Sequence, residues 1–244
     1  MIVPKLDSWL LTLEVAAAQP PCVWADLHAN SRAHAAAITA AQYRLVVFPE
    51  LSLTGYDLNA PVVATSHPAI APIIAACEAT DSIALVGAPI LDNDGRHYLA
   101  TMRVTAEGAD VVYRKTWLGN EESARFSSGH GVVAIEVDGW ILGLGICKDN
   151  GAPGHRAQVA SLGVDVYATG LVHRSTELSM QDDWGLSIAR QCNTYVIFAS
   201  FAGPAGGGYD ATAGSSTIWA PSGTILAKAG EEPGDLARAV LLKT

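Results

Sequence analysis

The chain has 244 residues, half of them hydrophobic and 16% charged, enough for one sizeable core beneath broad buried sheets. Its 15 basic residues against 24 acidic ones leave a formal charge of −9, the opposite sign to that expected of a nucleic-acid binder, and that class is set aside. Four widely spaced cysteines, without a Cys-x-x-Cys pair or a His-Glu-x-x-His run, give no metal signature and point to a reducing, cytoplasmic setting.

The apolar run Trp9–Ala18 ends on three alanines, as a signal-peptide cleavage site would. Glu14 inside it and Asp7 beside Lys5 ahead of it spoil that pattern, and the run is too short to span a membrane. It is therefore read as a first strand, Leu13–Gln19, broken by Pro20-Pro21. Asp26 would cap a helix reaching about Gln42, with an apolar face made mostly of alanine. Leu45–Phe48 is short and continuously apolar, the pattern of a strand buried on both faces, and Pro49-Glu50 ends it in a turn-rich loop, Leu51–Tyr56. Ile70, Ile73, Ile74 and Cys77 fall at helical spacing, with Cys77 in the core, before a strand at Ile83–Gly87.

Hairpins should fill the middle of the chain, turning at Asn93-Asp-Gly95, at Glu107-Gly108 and at Asp138-Gly139 between Val132–Val137 and Trp140–Ile146. Pro153 and Gly163 bracket a helix, and Val164–Ala168 is the strand after it. Trp184, Ile188 and Cys192 mark another helix whose inner face would hold Cys192. Strands at Tyr195–Phe201 and Ser215–Trp219 flank Gly203–Gly208, a glycine-rich segment expected to be mobile and a candidate lid. Thr224–Ala227 and Leu236–Leu242 complete an α/β pattern with βα units at both ends and no linker, so the chain, 1–244, is taken as one domain.

Three residues stand at the ends of apolar runs and carry reactive groups: Glu50, Lys115 and Cys147. Singly, each has an ordinary reading, as a loop carboxylate, a surface lysine and a small core hydrophobe. Together they form a base, an oxyanion stabiliser and a nucleophile, the nearby lysine favouring the thiolate. None of the seven histidines makes a convincing Cys-His motif; His173 is the nearest candidate, as a pocket or rim residue.

Phe48-Pro-Glu50 followed by Leu-Ser-Leu-Thr-Gly-Tyr56, Tyr113-Arg-Lys115, and Gly145-Ile-Cys147-Lys-Asp149 resemble, in order and interval, the three signature blocks of the nitrilase or carbon–nitrogen hydrolase superfamily. Phe126-Ser-Ser-Gly129 and Gly214-Ser-Ser216 add to the likeness, which runs from about Leu13 to Leu242. The resemblance implies a four-layer α-β-β-α sandwich of two mostly antiparallel, mixed sheets, usually paired into homodimers or larger homo-oligomers. It also implies a Glu-Lys-Cys triad without cofactor, in which Cys147 attacks an amide, Glu50 moves protons and Lys115 steadies the intermediate. A second glutamate falls at Glu122, with Glu121 as the alternative.

Departures from the family pattern bear on the substrate. Tyr98 is followed by Leu99 rather than the frequent asparagine, and Lys148 follows the cysteine where tyrosine or glutamate is common. Lys148 could turn inward and depress the thiol pKa or point outward. Asn150-Gly151-Ala152 lacks the arginine with which several branches grip a substrate carboxylate, a task left to Arg174 or His173. Tyr56 and Trp117 are candidate pocket walls. The expected activity is that of an amidase on a small linear amide. The alternatives are an N-carbamoyl hydrolase or nitrilase of the same superfamily, or a silent ligand-binding member. A dinucleotide fold is dropped, because Lys148 stands where Gly143-Leu-Gly145 would need its third glycine.

Overall fold

The computed structural model describes residues 11–243; Lys5, Asp7 and the Trp9 end of the first apolar run lie outside them. The first half of the chain runs β1 (Leu11–Ala18), α1 (Leu27–Ala41), β2 (Leu45–Val47), α2 (Ala71–Thr80), β3 (Ile83–Leu91), β4 (His97–Thr105) and β5 (Gly108–Arg114). The second runs β6 (Ala134–Val137), β7 (Trp140–Ile146), α3 (Pro153–Leu162), β8 (Val166–Leu171), α4 (Leu178–Cys192) and β9 (Tyr195–Ser200). It ends in the short pair β10 (Ala202–Gly203) and β11 (Thr212–Ala213), then β12 (Thr217–Trp219), β13 (Ile225–Lys228) and β14 (Leu236–Lys243).

Two six-stranded sheets result, ordered β14-β1-β2-β3-β4-β5 and β13-β12-β9-β8-β7-β6. Each has a parallel centre, β1-β2-β3 or β7-β8-β9, made by two βαβ crossovers, and antiparallel flanks. Period-two alternation sorts the side chains into layers. In β1, Val15 and Ala17 face the second sheet, joining Leu142, Leu144 and Ile197 in the central core, whereas Ala16 and Ala18 face α1 and α2. The outer face of the second sheet is covered by α3 and α4 through Val159, Ile188, Tyr167 and Phe198. The four layers expected from the family resemblance are therefore present.

Local signals explain the helix ends. The Asp26 side chain accepts from the Ala29 amide, and α1 stops on Gln42 in the left-handed region. Gly163 ends α3 in the same way. The face of α4 differs from the one its apolar spacing suggests: Gln181, Gly185, Ile188 and Ala189 are buried, while Trp184 and Cys192 are only partly so. A Cβ at Gly185 would lie 2.5 Å from the Trp219 ring, so the helix seats on its glycine and its inward face is rotated accordingly. Gly203–Gly208 does not form a free lid. The Tyr56 amide donates to Ala205 O at 2.7 Å, Ala205 N to Tyr209 O at 2.8 Å, and Ala205 is fully buried, so the backbone is tied down.

Two glycines let the sheets close over the segment after β2. A Cβ at Gly170 would lie 2.5 Å from Phe48 O and 2.7 Å from Glu50 N, and one at Gly87 would lie 2.6 Å from Pro49 O. Phe48-Pro-Glu50 is thus clamped between a strand of each sheet, with backbone rather than a pliable side chain as the obstacle. Gly170→Ala is expected to cost ~3 kcal/mol, as overpacking of a filled interior does, and to lower the urea midpoint accordingly. An unchanged midpoint would show that the clamp yields freely.

Candidate active site

The chemistry-bearing residues emerge where strands end. Glu50 lies three residues past β2, Lys115 directly follows β5, and Cys147 directly follows β7. The Lys115 backbone is fixed on both sides, its amide donating to Leu99 O and its carbonyl accepting from Gly129 N, each at 2.8 Å. Its ammonium, buried to 1% exposure, donates to Glu50 Oε1 at 2.6 Å and to Glu122 Oε1 at 2.7 Å. Of the two adjacent glutamates, Glu122 makes this contact; Glu121 is exposed at the cleft rim. Glu122 also accepts from Tyr56 OH at 2.7 Å and from the Gly119 amide at 2.6 Å.

Cys147 sits at φ +43°, a sparsely populated conformation for a side chain with Cβ, on the tight turn from β7 into a short 3-10 segment. Asp149 holds that turn. Its buried carboxylate accepts from Ile146 N at 2.9 Å, Trp117 N at 2.8 Å and Tyr113 OH at 2.8 Å, so one side chain ties the cysteine turn to the Lys115 segment. On the opposite side, His34 stacks on Phe48 at 4.2 Å between ring centroids and pairs with Ser52 Oγ at 2.8 Å. Ser52 Oγ in turn accepts from Gly87 N, which fixes the loop that carries Glu50.

Charge at the site follows from burial. Desolvation lifts the Glu50 carboxyl from 4.5 to about 7, against the pull of Lys115 and with the help of Glu122. Glu50 Oε2 is buried without a hydrogen-bond partner among the described residues, a carboxylate oxygen ready for a proton. Glu122 is buried too, but Lys115 and its other donors hold it below the ordinary range. Burial opposes the charge on Lys115, and Glu50, Cys147 and Glu122 outweigh it, raising the ammonium above its usual value. The thiol departs from expectation. Burial and Glu50 push Cys147 well above a free cysteine and Lys115 does not reverse that, so the resting sulfur is protonated rather than a thiolate.

A cleft of about 460 Å³ opens beside this array, lined by Tyr56, Glu121, Glu122, Lys148, Arg174 and Tyr209 among others. Tyr56 is therefore a wall residue and a support of Glu122 at once. Lys148 points outward to the cleft rim, its Nζ donating to Leu118 O at 2.7 Å. Arg174 lies over the Tyr209 ring at 4.6 Å and donates to Gly208 O. Trp117 does not line the cleft: its indole packs edge-to-face on His155 at 5.3 Å, over α3. His173 is buried beside the sulfur rather than at the rim, with Nε2 3.6 Å from Cys147 Sγ. Asp149, His34, Ser52 and Gln181 escaped sequence reasoning as site residues. Asp149 and Ser52 had a signal, lying in the same blocks as Cys147 and Glu50; His34 and Gln181 had none. No group of three or more His, Cys, Asp or Glu among the described residues is arranged to hold a metal ion, and no helix among them is long and apolar enough to cross a membrane.

Comparison with known proteins agrees with this architecture. A solved structure of Nit3 from Saccharomyces cerevisiae, a member of branch 10 of the nitrilase superfamily, superposes with a TM-score of 0.83 at 24% identity, covering 95% of this chain and 90% of that one. An amidase from Nesterenkonia sp. gives 0.83 at 21% identity, covering 94% and 90%. In sequence, a protein described as a hydrolase in the pqqF 5' region of Pseudomonas protegens is 30% identical over 232 residues, 91% of this chain and 81% of that protein. An (R)-stereoselective amidase of Pseudomonas sp. is 28% identical over 213 residues, 82% and 73% respectively. The carbon-nitrogen hydrolase family pattern matches residues 14–241, which takes in every strand-end residue described above. With the family pattern matched over nearly its full length and a relative 30% identical over 91% of it, the chain belongs to the carbon–nitrogen hydrolase family.

Proposed function

We propose that the protein is an amidase-type hydrolase that converts a small linear amide to a carboxylic acid and ammonia through a thioester on Cys147. The observation that carries this reading is the buried Lys115 ammonium, held between Glu50 and Glu122, with the strained Cys147 turn beside it and a cleft lined by Glu122, Tyr56 and Lys148 next to this array. Glu50 takes the thiol proton as the sulfur bonds to the amide carbon, and Lys115 donates a hydrogen bond to the oxygen that becomes negative. The proton passes from Glu50 to the departing nitrogen, ammonia leaves, and the thioester remains. Water then gives its proton to Glu50 and attacks the thioester carbon, releasing the acid and restoring the thiol. Glu122, kept ionised by its donors, orients Lys115 without titrating. The similarity to an (R)-stereoselective amidase favours this branch over the N-carbamoyl hydrolase and nitrilase alternatives.

The test is ammonia release from a panel of amides, nitriles and N-carbamoyl compounds, with acid-quenched intact-mass analysis alongside. Amide turnover with an acyl adduct on Cys147, both absent in Cys147→Ala, is expected. Ammonia with carbon dioxide would move the protein to the N-carbamoyl branch, and acid from a nitrile to the nitrilase branch. Neither turnover nor adduct would leave a silent ligand-binding member.

A further inference from the structure

Three acceptors surround the one proton of the Cys147 thiol. Val172 O lies 3.5 Å from the sulfur and His173 Nε2 3.6 Å, and the Glu50 carboxyl faces it as well. Whether His173 offers a lone pair or an N–H is decided by Gln181, which is fully buried. Gln181 Nε2 donates to Gly214 O at 3.2 Å and reaches Ser215 O at 3.5 Å, so its amide must turn Oε1 toward His173 Nδ1, 3.1 Å away. Nδ1 therefore carries the ring proton and Nε2 presents its lone pair to the sulfur. The ring is held edge-to-face on Trp184 at 5.4 Å between centroids, which fixes that aim.

We propose that His173 is a positioning residue for the nucleophile: in the tautomer dictated by Gln181, it accepts the Cys147 S–H and holds the thiol in its attacking rotamer. The inference rests on the reading of Cys147 as the nucleophile. Burial, with Lys115 nearby, keeps the imidazole below its ordinary pKa; Gln181 and Glu177 pull the other way without restoring it. Among the described residues, Cys147 and Gln181 contact the ring nitrogens, Glu177 and Lys115 act on the ring through their charge, and Trp184 covers it with an apolar edge. A neutral acceptor beside a protonated thiol is a matched pair, whereas a thiolate there would meet three sets of lone pairs.

Two pairs of variants test this. His173→Phe keeps the ring volume against Trp184 but has no acceptor, and should lower kcat about tenfold, the worth of one hydrogen bond, with KM unchanged. His173→Gln restores an acceptor and should recover most of that loss. A ring that acts by bulk alone predicts the reverse order, and that order, or equal rates in the two variants, overturns the proposal. Gln181→Glu should protonate His173, turn Nε2 into a donor and stabilise the thiolate. The pH dependence of iodoacetamide labelling at Cys147, read by intact mass, should then shift by about one unit toward acid, and His173→Phe in that background should cancel the shift. An unshifted profile, or a shift that survives in the double variant, also overturns the proposal. Labelling needs no turnover, so these outcomes are separate from hydrolysis persisting in Cys147→Ala, which would instead remove the nucleophile assignment.

Discussion

Glu50→Gln should cut amide hydrolysis by about 10²–10⁴-fold while making Cys147 easier to alkylate. The two effects have opposite signs because Glu50 does two things to the same sulfur. As the base it is needed for the thiol proton in attack and for the water proton in thioester hydrolysis. As a buried carboxyl it is, after desolvation, the main influence raising the thiol pKa, and glutamine removes that charge while leaving the Lys115 attraction in place. Glutamine also keeps an oxygen within reach of the ammonium that Glu50 Oε1 contacts at 2.6 Å, so the loop geometry is preserved. In the parent, kcat/KM should rise through about pH 7 as the coupled site loses its proton, and that limb should vanish in the variant. Rate profiles between pH 5 and 9, beside iodoacetamide labelling at fixed pH, check both halves. Hydrolysis within tenfold of the parent would remove Glu50 as the base, and slower labelling would contradict the electrostatic account of the thiol.

How much of the fold and site is legible in the sequence follows from which interactions are local along the chain. Asp26, Gln42 and Gly163 act through the backbone of their own helix, and the ends of α1 and α3 were accordingly readable. Period two in β1 gave a strand, but that Val15 faces one layer and Ala16 another depends on a second sheet contributed by residues more than a hundred positions away. Glu50, Lys115 and Cys147 were found because each ends an apolar run and lies in a block that resembles a known family. Trp117 misled because an aromatic next to a site residue looks like a wall, and only packing shows that it faces His155 instead. Lys115 does pull the Cys147 pKa down, as the pairing of the two residues suggested, but the desolvation and the Glu50 charge that outweigh it leave no mark in the sequence. Gln181 had no signal at all, since its effect on Cys147 passes through a ring eight residues away.

Lys115→Met should abolish activity and destabilise the fold by an amount that depends on pH. Methionine nearly matches the buried volume, so the loss is chiefly that of the cation between two carboxylates, each at 3% exposure or less. Stranding buried charge in this way costs ~3–5 kcal/mol. The carboxyls can escape part of it by taking up protons, and the sign follows from linkage. Glu50 already has a folded pKa of about 7 against an ordinary 4.5, so between those values the folded state holds more protons than the unfolded one and stability falls as pH rises. Glu122 in the parent behaves oppositely, its lowered pKa giving stability that is present above the unfolded value and lost as pH falls through the folded one. Without Lys115 both carboxyls move up, and the variant binds extra protons over the whole window from about pH 4.5 to beyond 7. The stability gap to the parent should therefore be small at pH 5 and reach its full size at pH 8, measured as urea midpoints at the two values. An equal gap at both would mean that the cost comes from packing and not from charge. Hydrolysis should stay at least about 10²–10³-fold down even at pH 5 under conditions where the variant is folded, because protonating the carboxyls relieves their repulsion but supplies no donor to the oxyanion. Recovery of turnover at acid pH would instead confine Lys115 to holding the two glutamates together.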